Sequence, residues 1–183
     1  MSPRLATGPT SSCLFLPSTG IGFGWKDTFS KPEWTARQYA YADAMGRDDV
    51  YTPQVVVNGR VEGDGLEPAA QVGLMSRGDR DADGLSVGFT AGAVAVGAGI
   101  APAAGADVWL ARYDPRTIEV AVRHGVNSGR MLPHKDVVRE MILLGQWRGE
   151  EAIFPVPASE AELAEAAIVQ AAESGPILVA AKR

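Results

Sequence analysis

A chain of 183 residues with 46% hydrophobic and 21% charged residues can bury a core, and its composition excludes a disordered protein. Its net charge of −5 argues against nucleic acid as a partner, because neutralising phosphates takes a basic face. Cys13 is the single cysteine, which excludes an internal disulfide and a Cys-X-X-Cys dithiol within this sequence. The two histidines, His124 and His134, lack carboxylates at ligand spacing, so no metal and no cofactor is expected.

Residues 1–24 show little periodicity. The run Leu14-Phe15-Leu16 suits a short strand, and the Gly-rich Gly20-Ile21-Gly22-Phe23-Gly24 reads as loop, since neither strand nor helix frames it as a dinucleotide fingerprint. Pro3, Pro9 and Pro17 interrupt any signal-peptide core, so the sequence as written predicts a cytoplasmic protein. Ser30 and Glu33 form a capping-box pattern around Pro32, and Trp34, Tyr41 and Met45 then share one helical face up to Gly46.

Gln54-Val55-Val56-Val57 predicts a buried strand, and Asn58-Gly59 supplies the two positive-φ positions of a type I′ turn into Arg60-Val61-Glu62. Pro53 cannot donate to a ladder and therefore belongs at the start of that strand; its bond with Thr52 is a candidate cis peptide. Glu67 to Met75 reads as a second helix, with Leu66, Ala70 and Leu74 in register. The charged segment from Arg77 to Gly84 is the predicted boundary, dividing the chain into domains 1–80 and 83–183.

Beyond it, Leu85–Phe89, Ala93–Val96, Asp107–Tyr113 and Thr117–Arg123 are short strand runs separated by Gly, Pro and Asp-Pro turns, a β-sandwich-like spacing. The uncharged run from Phe89 to Ala106 is mostly Gly and Ala with Pro102 inside it, which suits a strand pair and predicts no membrane span. Val137 to Trp147 reads as a strand, Ser159 to Glu165 as locally helical, and Ile168–Gln170 with Ile177–Val179 as a closing hairpin.

The order Tyr51-Thr52-Pro53, strand, Asn-Gly, return strand resembles the cis-proline hairpin of thioredoxin-like folds. With Gly24-Trp25-Lys26-Asp27, Gln38-Tyr39-Ala40-Tyr41-Ala42, Trp109-Leu110-Ala111-Arg112-Tyr113, Gly129-Arg130-Met131-Leu132-Pro133-His134, Leu144-Gly145-Gln146-Trp147 and Gly175-Pro176-Ile177-Leu178, the chain resembles a family of uncharacterised bacterial proteins, a domain of unknown function. The resemblance runs from about residue 24 to the last residues. It implies an α+β fold, a thioredoxin-like α/β half followed by a β-sandwich-like half, and a periplasmic or secreted location. Members begin with a strand, a Cys-Ser-Ser-Cys motif, a helix and a second strand. Here Thr10-Ser11-Ser12-Cys13 stands in that place, and the stretch from Cys13 to Gly24 is too short for a helix plus a strand. The thioredoxin-like half is therefore expected to be incomplete, or residues 1–22 to be unrelated sequence.

Dithiol exchange needs an attacking and a resolving thiol, and Thr10 cannot act as the first. The sequence thus predicts a non-catalytic binding or structural role, with an unknown protein or peptide as partner and Tyr51, Thr52 and Pro53 as the docking loop. The alternative is a monothiol thiol-disulfide oxidoreductase acting through Cys13, the one catalytic candidate. Arg130, His134 and Asp136 form the polar cluster of the second half, read as a hydrogen-bond network more than as acid–base chemistry. An α/β core without its first strand and helix exposes a sheet edge, so self-association is expected.

Overall fold

The computed structural model describes residues 4–7, 12–16, 31–51, 53–65, 68–78, 84–121, 129, 131–159 and 162–183. Among the described residues two helices, α1 (Pro32–Ala44) and α2 (Pro68–Arg77), accompany thirteen strands. These are β1 (Arg4–Thr7), β2 (Ser12–Leu16), β3 (Gln54–Val57), β4 (Val61–Asp64), β5 (Val87–Thr90), β6 (Ala93–Val96), β7 (Ala106–Asp114), β8 (Ile118–Ala121), β9 (Met131–His134), β10 (Val137–Trp147), β11 (Ala152–Pro155), β12 (Ala164–Ala171) and β13 (Ile177–Lys182). The fold is α+β and mostly β. Eight strands form one sheet in the order β13-β12-β7-β10-β1-β2-β3-β4, each antiparallel to its neighbours. A three-stranded sheet, β11-β6-β5, and the pair β8-β9 complete the set.

Period-two side-chain geometry decides what each face of the large sheet meets. On one face Trp109, Ala111 and Tyr113 of β7, Ala166 and Ile168 of β12 and Val138 of β10 pack with Trp34 of α1. On the other, Val108, Val169 and Trp147 pack with Val94 and Val96 of β6 and Phe154 of β11. β3 has helices on both sides, with Val56 against Tyr41 of α1 and Val55 and Val57 against Leu74 of α2. This explains why Val55-Val56-Val57 of β3 is a continuous apolar run and not an alternating one.

Local chemistry sets the ends of these elements. Pro32 opens α1, and the N-cap is Lys31, not Ser30. Glu33 therefore falls one position short of a capping box and instead lies 3.6 Å from the Lys31 ammonium, so the capping expectation is corrected. At the other end Gly46 adopts φ 66° and donates to the Asp43 carbonyl (2.9 Å) while Arg47 donates to the Ala42 carbonyl (2.8 Å), a Schellman closure. Asn58 and Gly59 take φ values of 52° and 63°, and Arg60 N–H donates to the Val57 carbonyl, the expected type I′ turn. A Cβ on Gly59 would meet the Gly175 carbonyl oxygen at 2.6 Å, and Ile177 N–H donates to the Asn58 carbonyl, so this turn is docked on the β12–β13 turn.

The expected strand over 137–147 is present as β10, with bulges at Val138/Glu140 and Leu143/Gly145. The expected local helix over Ser159–Glu165 is corrected: Ala164 and Glu165 already belong to β12, because Glu165 is drawn opposite Arg112 of β7. Of the predicted boundary from Arg77 to Gly84, residues 79–83 lie outside the described residues.

Candidate functional site

The polar residues that meet at the start of β3 come from three elements. Gln54 and Val56 face α1, and antiparallel pairing places Glu62 opposite Val56 and Asp64 opposite Gln54, on the same face. Gln38 of α1 is fully buried above this row, and its side-chain amide donates to the Gln54 Oε1 (3.0 Å) and the Tyr51 carbonyl (2.9 Å). The Schellman turn aims Arg47 back at the sheet, where its guanidinium donates to Glu62 Oε1 (2.7 Å) and Asp49 Oδ1 (2.9 Å) and lies 5.4 Å from the Tyr51 ring centre. Glu62 Oε2 accepts from the Tyr51 hydroxyl (2.5 Å) and from the Gln54 amide (3.1 Å). Glu62 is the hub of this network. Pro53, just ahead of β3, is fixed by its carbonyl accepting from Gly65 N–H at 3.0 Å.

Burial, then the hydrogen bond to Glu62 and its negative charge, push the Tyr51 phenol well above its ordinary range. A phenol raised in the folded state stabilises the fold fully below the unfolded value of about 10 and loses that contribution as pH rises past it. Thermal stability is therefore expected to fall between about pH 9.5 and pH 12, and Tyr51→Phe to flatten that limb. Melting curves at stepped pH, with phenolate absorbance as a second readout, check this; an unaltered alkaline limb in the variant contradicts it.

The structure separates the sequence candidates. Cys13 lies within β2, paired with Ala6 of β1 and Val57 of β3, whereas Leu16 pairs with Gln54. The cysteine thus stands at the Asn58 end of β3, and Pro53 at the other, about 13 Å of strand away. Thr52 and Arg130 lie outside the described residues. His134 is buried in β9 opposite Ile118, and Asp136 bends the chain into β10 with φ 53°. The Asp136 charge acts on Tyr113, whose phenol is raised first by burial and then by that carboxylate.

Three polar clusters have no counterpart among the sequence candidates. Arg37 donates to Gln170 Oε1 (2.6 Å) and lies 5.3 Å and 5.1 Å from the Tyr41 and Trp109 ring centres, bolting α1 to β7 and β12. Arg112 of β7 lies between Glu140 of β10 and Glu165 of β12. Its isolated charge in an apolar strand was the available signal. Asp114 ends the same strand in an Asx turn, where hydrogen bonds from Arg116 hold its carboxyl far below the ordinary range. Among the described residues no group of three or more His, Cys, Asp or Glu side chains is placed to hold a metal, and no described helix is long and apolar enough to cross a membrane.

Fold and site together define an α+β, mostly β protein with a hydrogen-bonded loop fixed at the start of a buried strand. The chain belongs to the family described as "Protein of unknown function (DUF1223)", whose model matches residues 22–171. It is also similar to the X-ray crystal structure of protein AGR_C_4864 from Agrobacterium tumefaciens, at 28% identity, over 87% of this chain and 73% of that one, with a TM-score of 0.65. No curated protein matches.

Proposed function

We propose that this chain is a non-catalytic binding protein of thioredoxin-derived architecture, organised as 1–80 and 83–183, whose Tyr51–Thr52–Pro53 loop receives a protein or peptide segment. The observation that carries the reading is the Gln38–Gln54–Glu62–Arg47 network, which ties down Tyr51 beside Pro53. A loop fastened before its ligand arrives loses little entropy on binding. The succession β2, α1, β3, β4, α2, with the three strands adjacent and the helices on opposite faces, also supports it. The position of Cys13 at the far end of β3 from Pro53 weighs against thiol exchange at this loop.

The reading is tested by insulin reduction with dithiothreitol present. The wild-type protein and Cys13→Ser should both run at the rate of the reductant alone. Turnover that disappears in Cys13→Ser would replace the binding role with the monothiol one.

A further inference from the structure

A second polar cluster lies away from the Tyr51 loop. Arg112 on β7 is flanked across the ladder by Glu165 on β12 and Glu140 on β10. Its guanidinium donates to Glu165 Oε1 (3.0 Å), to Glu140 Oε2 (3.1 Å) and to the Pro157 carbonyl. Two carboxylates around one guanidinium leave an excess negative charge. Arg183 balances it: Nη2 stands 2.5 Å from Glu165 Oε2, and the guanidinium carbon lies 4.7 Å from the centre of the Phe89 ring.

Arg183 fits this position imperfectly. Glu165 has a side chain only 9% exposed, and its Oε2 is engaged by Arg183 as a close ion pair without an aligned hydrogen bond. The Arg183 side chain is itself 45% exposed, so leaving costs it little burial. Beside it opens a solvent-open cleft of about 630 Å³ lined by residues that include Pro157, Ser159, Leu163, Glu165 and Arg183.

An aromatic face beside a buried carboxylate oxygen that a single exposed guanidinium engages is the chemistry that recognises a planar cation. We propose that the position between Glu165 and Phe89, at the edge of this cleft, binds a guanidinium group, and that the Arg183 side chain occupies it until such a ligand displaces it. Arginine suits it better than lysine, because a planar fork can stack on Phe89 while donating to the carboxylate. The site shares no residue with the Tyr51 loop, so it stands or falls independently of the proposed function.

Isothermal titration of Arg183→Ala tests the proposal, with L-arginine and N-acetyl-arginine methylamide as probes for a free amino acid and for an arginine within a peptide. At least one probe should bind the variant about tenfold or more tightly than the wild type, with L-lysine weaker. Because Glu165 also holds Arg112, the control is Phe89→Ala in the Arg183→Ala background, which removes the stacking face without touching the carboxylate and should weaken binding several-fold. Circular dichroism verifies that both variants fold. Neither probe binding folded Arg183→Ala more tightly than the wild type, or affinity unaffected by Phe89→Ala, would overturn the proposal.

Discussion

Arg112→Leu is expected to lower stability by about 3–5 kcal/mol, the usual cost of breaking a buried ion pair from one side. Arg112 and Glu165 have side chains 4% and 9% exposed, so the carboxylate left behind keeps only the half-exposed Arg183 and has little water to turn to. The Pro157 carbonyl loses its donor as well. The double variant Arg112→Leu with Glu165→Leu should recover most of the loss, because apolar side chains of similar size replace a buried pair at little net cost. Urea denaturation of the single and double variants decides it. A single-variant loss below about 1 kcal/mol would mean that the charges are solvated, contrary to the geometry.

Trp147→Ala is expected to cost about 3–5 kcal/mol for an equally local reason. The indole is 1% exposed and fills the space between the eight-stranded and three-stranded sheets with Val96, Val108 and Phe154. Its Nε1 donates to the Glu150 carbonyl at 2.7 Å, which fixes the tight connection from β10 to β11. Trp147→Phe keeps most of the apolar volume and loses this hydrogen bond, so its cost should be about 1–2 kcal/mol. The same denaturation series reads both. Near-equal losses in the two variants would show that the hydrogen bond and not the packing holds the sheets together.

What could be read from the sequence follows the range of the interactions involved. The Asn58-Gly59 turn was legible because its conformation is settled by two adjacent residues, and β3 because an unbroken apolar run needs cover on both faces. The end of α1 at Gly46 was legible for the same local reason. The Glu62 hub was not, since it depends on α1 crossing the sheet face and bringing Gln38 over Gln54 from sixteen residues away. The expected helix over Ser159–Glu165 shows the reverse case. A capping pattern that looks helical locally yields to a ladder in which Glu165 meets an arginine fifty-three residues earlier. Cys13 is informative only once strand register separates it from Pro53.

The central claim, that ligand binding belongs to the Tyr51–Pro53 loop and owes nothing to the thiol, is tested most directly by peptide selection. Peptides enriched from a random displayed library on the wild-type protein would be titrated against Tyr51→Ala, Pro53→Ala and Cys13→Ser. The account predicts affinity reduced about tenfold or more by either loop substitution and unchanged by Cys13→Ser. Failure to enrich any peptide, binding indifferent to both loop substitutions, or binding lost with the cysteine would contradict it.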